Sequence, residues 1–251
     1  MGIERIMKGG KTVIIPMDHG VSDGPIKGLE RMQEMIEKVS KGGADAVVIH
    51  KGIMKHLEIP DTGRIVHLSA STSLGDPLRK VLVGTVEEAV SYGADAISVH
   101  VNIGAPGEPE MLMDLGRVSR ECSKLDVPLL AMMYHRGHDV KDLNDPKNIA
   151  HVARVGYELG ADIIKCPYTA SFKTITSSVD VPVVIAGGAK SGNPVDLLKQ
   201  VKDCMDQGGA GVSIGRNVFQ AENPEKMVRS IADIVHGGKS VEEALKVIRK
   251  V

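Results

Sequence analysis

The chain has no tryptophan, and aromatic residues make up only 2% of its 251 positions. Its core must therefore rest on aliphatic side chains and methionine. Cysteine is scarce too: Cys122, Cys166 and Cys204 are far apart, odd in number and without a C-x-x-C pair. That pattern argues against a disulfide framework or a zinc site and fits a reducing compartment. Neither sign of charge dominates, the formal net charge being -1, so neither nucleic acid nor a membrane is expected as a partner. Any anion must be handled locally. No apolar run approaches the roughly 18 residues of a membrane span, and the short basic segment from Met1 to Thr12 lacks the apolar stretch of a signal peptide. A soluble cytoplasmic protein is expected.

What the chain has is a recurring phrase. Gly43-Ala44-Asp45-Ala46 precedes Val47-Val48-Ile49-His50, and Gly93-Ala94-Asp95-Ala96 precedes Ile97-Ser98-Val99-His100. Gly160-Ala161-Asp162 precedes Ile163-Ile164-Lys165, and Gly209-Ala210-Gly211 precedes Val212-Ser213-Ile214-Gly215. Each reads as a glycine closing a helix and feeding a short buried strand. Val127-Pro128 and Val181-Pro182 open two further apolar runs, with proline at a strand start where its missing N–H does least harm. With Thr12 to Pro16 and Arg64 to Leu68, eight strands are predicted: 12–18, 46–50, 64–69, 96–101, 128–133, 162–167, 182–187 and 211–215. The run from Lys80 to Gly84 is read as part of a long third connection.

Helix starts stand between the strands. Asp145-Pro146 and Asn193-Pro194 are N-cap and N1-proline pairs. Thr85 with Glu88 and Ser240 with Glu243 are spaced as capping boxes. Eight β–α units in this length predict a single-domain TIM (β/α)8 barrel over residues 1–251. A doubly wound open sheet is the alternative, but it normally carries a glycine fingerprint after its first strand, and Pro16-Met17-Asp18-His19-Gly20 is not one.

In such a barrel chemistry sits at the C-terminal strand ends. Gly187-Gly188 and Gly215-Arg216 end the last two strands, where barrels often hold phosphate on backbone amides, a helix N-terminus and a guanidinium. The plainer reading is a tight turn with a solvated arginine. Lys165 interrupts an apolar strand. It either snorkels its ammonium to solvent or serves as a nucleophile, since apolar surroundings favour a neutral amine. Beside a phosphate site it is placed to form a Schiff base with a ketose or keto-sugar phosphate, the iminium drawing electrons from a C–C bond. Asp18 and Tyr134 offer a carboxylate and a phenol as proton shuttles. His19, His50, His67 and His100 end the first four strands and raise the rival of a divalent metal. With no H-x-H pair and few carboxylates beyond Asp18, neither a metal nor a cofactor is expected.

Five ordered segments resemble the signatures of archaeal-type class I aldolases. They are Pro16-Met17-Asp18-His19-Gly20, Met133-Tyr134 with Arg136-Gly137, Ala161 to Lys165 with Tyr168-Thr169, Ala186-Gly187-Gly188 and Ile214-Gly215-Arg216-Asn217. The likeness spans nearly the whole chain. It implies Lys165 as the Schiff-base lysine, Tyr134 as proton donor and Asp18 as proton acceptor. It also implies a phosphorylated substrate held by Asp18, His19, Gly20, Val21, Ser22, Tyr134, His135, Arg136, Gly187, Gly188, Gly215 and Arg216. The family has a fructose-bisphosphate aldolase branch and a transaldolase-like synthase branch that opens an alternative route to 3-dehydroquinate and the aromatic amino acids. Met17, the segment Val21 to Pro25 and Ser98 to Asn102 resemble the synthase branch. That branch implies a keto-deoxysugar phosphate and L-aspartate 4-semialdehyde as substrates, in a homo-oligomer. His135 stands where the family usually has proline, and Cys166-Pro167 where it usually has a small polar or lysine-containing pair. Both departures touch the pocket.

Overall fold

A computed structural model describes residues 2–188 and 192–249. Eight parallel strands close into a barrel, each paired with its neighbours in sequence and the last with the first. They are β1 (Thr12–Pro16), β2 (Ala46–Ile49), β3 (Gly63–His67), β4 (Ala96–Ile103), β5 (Leu129–His135), β6 (Ile163–Pro167), β7 (Val183–Ala186) and β8 (Gly211–Ser213). The open-sheet alternative is set aside by this closure. Several strands are shorter than the sequence predicts, because their polar ends leave the ladder to become the loops of the mouth. The run after Lys80 pairs Val81–Leu82 antiparallel with Ser69–Ala70, a small hairpin inside the third connection.

Alternation within the strands sorts the core into two layers. Val13, Ile15, Val47, Ile49, Ile164, Cys166, Val212 and Ile214 face outward and pack with the helices. Ile14, Val48, Ile65, Leu130, Met132 and Val184 fill the barrel, and Ile6 and Met7 join them from the N-terminal segment. Side chains alternate along a strand, so Lys165 between Ile164 and Cys166 faces the interior. The anomaly in its apolar run is a change of face.

The recurring Gly-Ala-Asp phrase has a second use. Gly43 adopts the left-handed conformation that closes its helix, with φ 98°. Two residues on, the Asp45 carboxylate accepts the Val13 N–H at 2.7 Å while the Asp45 N–H donates to the Val13 carbonyl at 2.9 Å. Asp95 does the same with Arg64 at 2.9 and 2.8 Å, and Asp162 with Leu129 at 2.8 and 2.9 Å. Each aspartate thus fastens an amide at the start of the preceding strand. The fourth phrase has Gly211 instead, where φ is 131° and a Cβ would lie 1.9 Å from the Thr12 carbonyl oxygen.

The helix caps form as spaced, with one exception. Asp145 and Asn193 accept the amides of Lys147 and Val195 at 3.0 Å. Ser240 and Glu243 exchange both bonds of a capping box, at 2.9 and 3.2 Å. Thr85 caps Glu88 N–H at 3.1 Å, but the Glu88 carboxylate turns instead to the Lys51 ammonium at 2.9 Å. A full charge outcompetes a backbone amide for that carboxylate. The three cysteines are buried free thiols. Among the described residues no helix is long and apolar enough to cross a membrane.

Candidate active site

A cavity of about 670 Å³ opens at the C-terminal end of the barrel. Lys165 reaches it from β6 with only 7% of its surface exposed, and its Nζ lies 3.7 Å from the Met132 sulfur, a weak acceptor. Lys51, which follows β2, does not line this cavity and bonds the Glu88 carboxylate at 3.0 and 2.9 Å. Tyr134, next to last in β5, lines the cavity with Lys165 and is buried to 6% exposure. The Arg136 guanidinium lies 4.1 Å from the centre of the Tyr134 ring, and the His100 ring packs against the same tyrosine at 4.8 Å. His100 is fixed in turn by Asn102 at 2.9 Å. The phenol is therefore held by a cation and an imidazole rather than left loose at the rim.

Asp18 follows β1 and meets two histidines at the same distance: His67 Nε2 and His19 Nδ1 both lie 3.8 Å from its carboxylate. Burial by itself raises the Asp18 carboxyl, but the potential of His67, His19, Lys165 and His50 outweighs it and holds the group well below the usual carboxylate range. Burial also lowers His19, His50 and His100, and takes His67 down to about 3 against the pull of Asp18. At neutral pH these rings are uncharged hydrogen-bonding groups. His67 turns its Nδ1 to the Ser98 hydroxyl at 2.8 Å. The described residues gather no three His, Cys, Asp or Glu side chains placed to hold a metal ion.

Between β6 and β1 in the barrel, the loops after β7 and β8 are tied together. Arg216 donates to the Gly188 carbonyl at 3.2 Å and Asn217 to the Gly187 carbonyl at 2.8 Å. Gly187 has Ile214 against it, where a Cβ would come within 2.6 Å. The turn at Gly215 runs straight into the short helix Arg216–Phe219. Gly187, Gly188, Gly215 and Arg216 all line the cavity, a guanidinium among exposed backbone that is suited to an anion.

Of the residues singled out in the sequence, His19, Tyr134, His135, Arg136, Lys165, Gly187, Gly188, Gly215 and Arg216 line the cavity together. Asp18 stands just behind His19, in electrostatic contact with Lys165. Gly20, Val21 and Ser22 belong to the helical turn His19–Asp23 and do not line it. The Ser22 carbonyl instead accepts from Ser73, N–H and hydroxyl both at 2.9 Å, pinning the third connection to the first. Sequence reasoning missed Ser213, Asn144 and Gln200, which also line the cavity. It missed Lys80 as well, which the hairpin brings over the mouth with its Nζ on Ser71 at 2.6 Å. Alternation in Val212-Ser213-Ile214 held the signal for Ser213; nothing local held one for the others.

Residues 12–221 match the DeoC/LacD family aldolase pattern. The chain belongs to this aldolase family. It is 46% identical to the 2-amino-3,7-dideoxy-D-threo-hept-6-ulosonate synthase 1 of Archaeoglobus fulgidus, over 97% of this chain and 93% of that one. It is 36% identical to the class 1 fructose-bisphosphate aldolase of Thermoproteus tenax, over 95% and 94% of the two chains. The structure of a Schiff-base-forming fructose-1,6-bisphosphate aldolase superposes with a TM-score of 0.88 at 32% identity, covering 93% of this chain and 98% of that one. This aldolase is accordingly an enzyme of the class I, Schiff-base type.

Proposed function

We propose that the chain is a 2-amino-3,7-dideoxy-D-threo-hept-6-ulosonate synthase, with Lys165 as the residue that binds substrate covalently. The observation that carries the reading is the amine of Lys165, almost fully buried yet lining the cavity between Tyr134 and the tied glycine loops. The amine adds to the ketone of a keto-deoxysugar phosphate, the phosphate lying on Gly187, Gly188, Gly215 and Arg216. Loss of water gives an iminium, which draws the electrons of the adjacent C–C bond as that bond breaks. The enamine retained on Lys165 then attacks the aldehyde carbon of L-aspartate 4-semialdehyde, and water releases the product.

Each stage moves a proton, and two groups are at hand. Asp18, ionised at neutral pH, takes the proton from the hydroxyl whose C–C bond breaks. Tyr134 gives one to the oxygen that leaves as water. The 46% identity to the Archaeoglobus synthase against 36% to the Thermoproteus aldolase supports the synthase over fructose-bisphosphate cleavage. Two assays separate the readings. Borohydride reduction in the presence of the keto-deoxysugar phosphate yields a mass adduct on the Lys165 peptide, with turnover that requires aspartate semialdehyde. Cleavage of fructose 1,6-bisphosphate at a comparable rate would select the aldolase, and a bound sugar phosphate without adduct or turnover would reduce the chain to a binding protein.

A further inference from the structure

Ser213 is the inward-facing residue of β8, between Val212 and Ile214, which pack outward. It is 1% exposed and lines the cavity that Lys165 lines. Its hydroxyl is buried and has no hydrogen-bond partner among the described residues. The other small hydroxyls inside the barrel are employed: Thr12 donates to the Ile6 carbonyl at 2.6 Å, and Ser98 meets His67 at 2.8 Å. An unpartnered buried hydroxyl is costly, and native structures contain few. One that faces an open cavity is placed to bond what fills it.

Strand register locates it. Lys165 pairs with Val184, and Val184 with Gly211. The next inward row toward the mouth runs from Pro167 through Ala186 to Ser213. Ser213 thus stands one row beyond Lys165 and two residues before Gly215, where the anion-binding turn begins. His19 borders the same turn, since a Cβ on Gly215 would sit 2.8 Å from its ring, and its buried Nδ1 has no hydrogen-bond partner among the described residues. A ligand joined to Lys165 at one carbon, with its anionic end in the turn, passes over Ser213.

We infer that Ser213 is a substrate-binding residue whose hydroxyl donates a hydrogen bond to the phosphate group of the bound keto-sugar phosphate. This rests on the Schiff-base reading above. A phosphate oxygen is an acceptor, and a hydroxyl without other work is the donor it needs.

The test is Ser213→Ala in the full-length enzyme. A charge-assisted hydrogen bond to phosphate converts to about tenfold in affinity. The variant therefore shows a KM for the keto-sugar phosphate raised about tenfold, kcat within about twofold of the parent, and a matching loss of affinity for inorganic phosphate by calorimetry. Its Tm is equal or higher, because no protein hydrogen bond is removed. Unchanged KM and phosphate affinity would overturn the inference, as would a fall in kcat alone, which would put the hydroxyl at the reacting carbon. A Tm lowered by several degrees would mark Ser213 as structural and overturn it too. Borohydride trapping of the parent runs alongside: an adduct on Lys165 with an indifferent Ser213→Ala sinks this inference only, whereas no adduct in the parent sinks the Schiff-base reading.

Discussion

His67 Nε2 lies 3.8 Å from the Asp18 carboxylate, and the same enclosure leaves the first neutral and the second ionised. Both proton affinities are lowered: burial leaves the imidazole neutral, and the carboxyl, held well below its usual range, is ionised at neutral pH. A carboxylate that stays ionised is a base at neutral pH. Asp18→Asn is accordingly expected to lower kcat by roughly 10²–10⁴-fold while the Lys165 adduct still forms in borohydride trapping. Loss of the adduct would move Asp18 from proton transfer to positioning of the lysine.

The same pair makes the fold sensitive to acid. His67 is neutral in the fold down to about pH 3 but protonates near 6.5 when unfolded. The unfolded chain binds more protons between those values, so stability falls as pH drops from 6.5 toward 3. Asp18 acts in the same direction lower down: its depressed folded value gives stability that is present above its unfolded value and is lost as pH falls further. His67→Asn is expected to flatten the decline of Tm between pH 6.5 and 4 by up to one proton equivalent. An unchanged slope, read by thermal melts in matched buffers, would count against it.

Lys165→Met is expected to abolish the adduct with a folded, cooperatively melting protein. Lys51→Met keeps the adduct and loses only the bond to Glu88 at the rim. An adduct that survives on the first variant and vanishes on the second would reverse the assignment of the nucleophile.

Arg216 combines a structural bond to the Gly188 carbonyl with a place in the cavity lining. Arg216→Ala is expected to raise the KM for the phosphorylated substrate by roughly 10–100-fold, the range of a hydrogen bond to a charged group. Steady-state kinetics with kcat little changed is the supporting outcome. Equal losses in kcat and kcat/KM would place the guanidinium at the transition state instead.

Asp162 and Gly211 occupy equivalent places in the repeated phrase and are expected to fail for different reasons. Asp162→Ala strands the buried Leu129 N–H and costs about 1–3 kcal/mol by denaturant unfolding. Gly211→Ala forces a Cβ to within 1.9 Å of the Thr12 carbonyl at a φ of 131° and prevents β1 from closing on β8. A stable, closed Gly211→Ala variant would contradict the account of the seam.

Much of this protein was legible from its residues because the information is local. Strand runs, helix caps and the glycine phrase before four of the strands act over a few residues, and eight strand runs leave a barrel as the arrangement that covers both faces of every strand. Lys165, Tyr134, Asp18 and the glycine loops could be singled out as candidates because chemistry in a barrel collects at known strand ends. Tertiary structure decided what depends on facing. Lys165 and Ser213 break apolar runs because alternation turns them inward, and the closure of the barrel makes inward mean a shared cavity. Asp45, Asp95 and Asp162 repeat because each must meet an amide more than thirty residues earlier, which only the register brings within 2.9 Å. The charge of Asp18 and the neutrality of its histidines exist nowhere in the sequence. They follow from how much water the folded mouth excludes and which groups it leaves facing one another.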